Sequence, residues 1–68
     1  MYEVSLYGQG GKQFAFSVFV TSDRARLFAA QSSEQYQAQI VNTLSGETVI
    51  YSVVSGQLTE VKRYVIKK

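Results

Sequence analysis

At 68 residues, with 46% apolar and 18% charged side chains, the chain is one domain near the lower size limit for independent folding. A chain this short buries only roughly 60% of the surface its unfolded form exposes. It has no histidine, cysteine, proline or tryptophan. The commonest general base, the thiol nucleophile and the usual ligands for zinc, iron and copper are therefore missing. Seven Lys or Arg against five acids leave a net charge of +2 and a pI near 9.1, which permits a nucleic-acid partner without demanding one. No apolar run approaches the ~20 residues of a membrane span, and no signal-peptide pattern opens the chain, so a cytoplasmic protein without membrane contact is expected.

The chain opens in strict alternation. Tyr2, Val4 and Leu6 fall on one side and Glu3, Ser5 and Tyr7 on the other, the period of a half-buried strand. Gly8, Gly10 and Gly11 then break the pattern, and a glycine-rich link this short before another β-rich run signals a hairpin. In that second run, Gln13 to Val20, Phe14, Phe16, Val18 and Val20 share one side, and Ala15, Ser17 and Phe19 share the other. Two apolar sides predict a central strand, with Phe14, Phe16 and Val18 in the core.

Thr21, Ser22 and Asp23 are good helix N-caps, followed by helix formers from Arg24 to Gln31. A helix of two to three turns is expected, with Leu27 and Phe28 forming its apolar seam. Ser32, Ser33 and Glu34 end it. The second half carries a faint repeat: Leu44-Ser45-Gly46-Glu47 recurs as Val54-Ser55-Gly56-Gln57. Turn signals at that spacing mark an antiparallel meander, with strands over Gln35 to Thr43, Thr48 to Val54 and Leu58 to Ile66. The last segment also fits a helical stripe, but its β-branched and aromatic content favours a strand. Adjacent Lys62 and Arg63 favour an edge. The order is ββαβββ: a small single α+β domain over residues 1–68, with antiparallel sheet or sheets and one short helix packed on one face.

Candidate chemistry is sparse. Glu3, Asp23, Glu34, Glu47 and Glu60 are scattered over different elements, and surface acids in turns and caps are the common explanation. Gly8-Gln9-Gly10-Gly11-Lys12 resembles a phosphate-cradling loop only loosely, because a strand and not a helix follows it. A hairpin turn explains it better. The Gln-rich stretch Gln31, Gln35, Gln37 and Gln39 reads as a solvated strand face able to support a hydrogen-bonding interface.

No cofactor and no metal are expected. The leading reading is a non-enzymatic protein-interaction module, a small adaptor, inhibitor or regulator. It binds a protein partner, or itself as a homodimer, through a sheet edge or a tyrosine-bearing face, since tyrosine and arginine anchor protein interfaces. The alternative is nucleic-acid binding through the basic C-terminal strand, with Tyr51, Lys62, Arg63, Tyr64, Lys67 and Lys68 as the binding residues. There cations would neutralise phosphate while a tyrosine stacks on a base. A charged edge strand with a solvated tail also accounts for those residues without any ligand.

Overall fold

The computed structural model describes residues 1–32 and 34–65. Five strands, β1 (Tyr2–Tyr7), β2 (Gln13–Phe19), β3 (Tyr36–Asn42), β4 (Glu47–Val54) and β5 (Gln57–Val65), form one antiparallel sheet, with a single helix α1 (Ser22–Ala29) between β2 and β3. The strand order is β2-β1-β3-β4-β5. The α+β class and the ββαβββ order expected from the sequence are those observed. Ile66, the expected end of the last strand, lies outside the described residues, as does Ser33.

Local chemistry explains each boundary. A short 3-10 turn, Gln9–Gly11, joins β1 to β2, and Gly10 and Gly11 sit at φ of 83° and 76°, where only glycine is unstrained. Thr21 caps α1: its hydroxyl accepts from Arg24 N–H at 3.3 Å. The β4–β5 hairpin turns on Ser55 and Gly56, with φ of 51° and 76°, the doubly positive pattern of a two-residue turn that matches strand twist.

Alternation sorts the sheet into two faces. Val4 lies opposite Ile40, and Leu6 opposite Ala38; Ala38 in turn faces Tyr51, and Tyr36 faces Val53. These residues are buried and, with Ala25 and Ala29 of α1, make the core. The expected seam on Leu27 and Phe28 holds for Phe28, which packs against the core, and is corrected for Leu27. Leu27 is 74% exposed, and the helix lies on the sheet through Ala25 and Ala29, whose small side chains allow a close approach over β1 and β2. Phe28 is half-buried and packs on Phe19 with ring centroids 5.2 Å apart.

The second correction concerns β2, which is an edge strand rather than a central one. Its apolar residues are accordingly exposed: Phe14 by 56%, Phe16 by 52% and Val18 by 44%. One side of β2 packs under the helix, while the other belongs to a sheet face that no element covers among the described residues. A bulge adds to the difference. Leu6 pairs with Ala15 but Tyr7 pairs with Gln13, so Phe14 is the extra residue. Such an insertion re-aims a side chain. Phe14 meets the buried Tyr36 edge to face at 5.5 Å, on the helix side, whereas Phe16 and Val18 stay on the open side opposite Ser5 and Glu3.

Candidate interaction surface

Two tyrosines moor the helix to the sheet. Tyr36 rises from β3 and donates its hydroxyl to Ala29 C=O at 2.6 Å, in the last turn of α1. Tyr51 rises from β4 and accepts a hydrogen bond from the Arg26 guanidinium at 3.0 Å, while that guanidinium also lies 5.3 Å from the ring centroid. Both tyrosines are buried. Of the remaining three, Tyr2 and Tyr7 are half-buried and Tyr64 is exposed on the open face.

The basic strand is split by the same alternation. Lys62 pairs with Ile50 and Tyr64 with Thr48, on the open face, whereas Arg63 pairs with Val49, on the helix face. Lys62 Nζ lies 5.5 Å from the Tyr64 ring centroid. Arg63 is held by two carboxylates, 2.8 Å from Glu60 and 3.0 Å from Glu47. Hydrogen bonding to Arg63 holds the Glu60 carboxyl below the ordinary glutamate range, and the guanidinium is pushed above its own ordinary value by both acids. The structure thus brings Lys62 to Tyr64 on the open face and Tyr51 to Arg63 and Arg26 in one cleft on the helix face, so Tyr51, Lys62, Arg63 and Tyr64 are divided between two surfaces. Lys67 and Lys68 lie outside the described residues.

Convergence of Glu47 and Glu60 was not visible in the spacing, because residues three apart in a regular strand, such as Glu60 and Arg63, fall on opposite faces. A bulge in β5 re-phases them. Ile50 pairs with Lys62 and Tyr51 with Glu60, leaving Val61 as the extra residue. Both acids are thus engaged by the one guanidinium.

Two of the surface hollows adjoin the residues singled out from the sequence. A hollow of about 350 Å³ lies between the glycine turn and β3, lined by neutral Gln9, Gln35, Gln37 and Ser52 beside Tyr7. The amides of Gly8 and Gly11 are consumed within the turn, bonding Lys12 C=O at 2.9 Å and Gly8 C=O at 3.1 Å. A smaller cleft of about 220 Å³ beside the helix start holds Arg26 and Arg63 with Asn42 and Glu47, where Glu47 and Glu60 together offset the arginine charge. Among the described residues no group of three or more acids is placed to hold a metal, and no helix is long and apolar enough to cross a membrane.

What distinguishes the surface is the contrast between its two edges. β5 carries Glu60, Lys62 and Arg63 and is bulged at Val61, and both devices discourage pairing with another strand. β2, Gln-Phe-Ala-Phe-Ser-Val-Phe, contains no charge at all. Beside it the open face presents Phe16 and Val18, and Val20 follows, largely exposed. The sequence pattern places Phe16 and Val18 inside because apolar alternation on both sides does not say whether a neighbour exists. Comparison of the chain with protein-family models, with curated proteins and with solved structures finds no match.

Proposed function

We propose that the chain is a non-enzymatic interaction module that binds a protein partner by adding a strand at the β2 edge. The observation that carries this reading is the uncharged edge with Phe16 and Val18 half-exposed beside it. Backbone hydrogen bonds along an open edge supply affinity, and side chains flanking it supply selectivity. Small soluble domains seldom leave such an edge unguarded without use for it. The test compares the immobilised protein with Val18→Lys and, as a control on the guarded edge, Val61→Lys, after circular dichroism has shown that all three are folded. Partner retention should be lost in Val18→Lys alone. Equal retention by all three would contradict the assignment to β2.

Nucleic-acid binding is the second reading, and the observation that favours it is Lys62 over Tyr64 on the open face. It requires affinity for single-stranded RNA or DNA that falls steeply with salt and disappears in Lys62→Glu while persisting in Tyr2→Phe. A flat titration at low salt would eliminate it.

A further inference from the structure

We infer that the strand added at the β2 edge is the β2 strand of a second copy of this chain, paired antiparallel about a twofold axis at Ser17. The inference rests on the interaction reading above and names its partner.

The backbone phase comes first. Met1 C=O accepts from Thr43 N–H of the segment leaving β3, at 2.9 Å. In an antiparallel pair the bonding direction alternates residue by residue, so odd-numbered residues of β1 bond toward β3 and even-numbered ones toward β2. The Gly8 N–H to Lys12 C=O bond in the turn has the same phase. Val4 lies opposite Ser17, so Ser17 bonds inward to β1. The N–H and C=O groups of Phe16 and Val18 therefore point away from the sheet, toward a side on which the described residues supply no strand.

Self-pairing needs a surface that fits itself under twofold rotation. With Ser17 opposite Ser17, Phe16 lies opposite Val18 twice on the open face, and Ala15 lies opposite Phe19 twice on the helix face. The first is an aromatic with a β-branched residue, a favourable cross-strand pair. The second sets small against large. The two Phe16–Val18 pairs are the hydrogen-bonded ones, giving about four inter-chain backbone bonds, while the Ser17 pair is the close, non-bonded one with its hydroxyls side by side. No like charges meet, since the strand has none, and the antiparallel run brings the Lys12 end of each copy to the end where the other leads into Asp23. Beyond Ala15 the bulge at Phe14 turns the strand away, which limits the pairing to Ala15–Phe19. An interface of one short strand falls at the low end of specific interfaces, below about 1,200 Å², so the dimer is reversible.

Because the chain has no cysteine, single-cysteine variants test the register without background. Light scattering or sedimentation of the wild type from about 1 µM to about 1 mM, the span from firm to marginal association, should show the mass rising from 7.6 kDa toward twice that value. Val18→Lys should stay at the single-chain mass throughout. Ser17→Cys should oxidise to a covalent dimer, because directly opposed non-bonded residues have Cα atoms about 4.5 Å apart, within the ~4.4–6.8 Å that a disulfide spans. Ser5→Cys, one strand further in on each copy, should not, its two Cα atoms being about 16 Å apart across three strand spacings and a two-residue offset. A wild type at 7.6 kDa over the whole range overturns the inference, and so does a dimer in which Ser17→Cys links no faster than Ser5→Cys. If the wild type is monomeric yet retains another protein in a manner abolished by Val18→Lys, self-pairing fails and the interaction edge stands. If Val18→Lys changes neither mass nor retention, both fail.

Discussion

Replacing Tyr36 by phenylalanine removes one oxygen atom from the centre of the fold and should loosen the helix measurably. The Tyr36 hydroxyl donates at 2.6 Å to Ala29 C=O, one of the last-turn carbonyls that a helix cannot satisfy internally. It also accepts at 3.3 Å from Ser32 N–H. In Tyr36→Phe the ring remains, so its edge-to-face contact with Phe14 persists and no cavity opens. What is lost is the donor to a buried acceptor, which costs about 1–3 kcal/mol; the long second bond adds little, so about 1.5–2.5 kcal/mol is expected. At ~4–8 °C per kcal/mol for a domain of this size, the melting midpoint falls by about 6–20 °C. Urea unfolding followed by far-ultraviolet circular dichroism measures the change, with Tyr64→Phe, exposed on the open face, as the control expected within about 0.5 kcal/mol of wild type. A loss below about 0.5 kcal/mol in Tyr36→Phe would refute the argument, since it would mean that the hydroxyl contributes no more than an average surface contact.

Leu6→Ala, in the core with no exposure, should cost about 2–5 kcal/mol in the same unfolding assay, whereas Leu27→Ala should fall within about 0.5 kcal/mol of wild type. At the β4–β5 turn, Ser55 holds a positive φ that disfavours most side chains; Ser55→Asn should stabilise by about 0.5 kcal/mol and Gly56→Ala should destabilise by about 1–2 kcal/mol, read as opposite shifts in denaturation midpoint. NMR titration should place the Glu60 carboxyl below ordinary glutamate, returning toward it in Arg63→Gln, because Arg63 favours the charged form. A depressed carboxyl stabilises the fold above its unfolded pKa and loses that contribution as pH falls through the folded value; this exposed pair should therefore lose its small contribution in acid, and in high salt at neutral pH.

The elements themselves were legible because local rules govern them. Alternation marks β1 and β3, the Thr21 hydroxyl marks the start of α1, and Ser45-Gly46 and Ser55-Gly56 mark the two turns of the meander. Lys62 and Arg63 correctly announce β5 as an edge. Strand order was not legible, because β1 pairs with β3 across the intervening hairpin and helix, and no local signal encodes a long-range neighbour. The placement of β2 failed for the same reason: an apolar side can face a core or an empty flank. Bulges hid the rest. One extra residue at Phe14 and another at Val61 shift the side-chain period, turning Phe14 toward the helix and aligning Glu60 with Arg63. Neither insertion leaves a glycine or proline to betray it.

The position of β1 between β2 and β3 dictates an order of events during synthesis. The strand made first in this stretch of chain gains β2 within a few residues, but its opposite flank waits until Asn42 has emerged, so the sheet is closed from the middle late and by a distant segment. Until then the nascent hairpin offers a second sticky margin, next to Val4 and Leu6, that the finished molecule hides. Ribosome-bound intermediates ending before β3 should therefore be the species most prone to misassociate and most in need of a chaperone's cover.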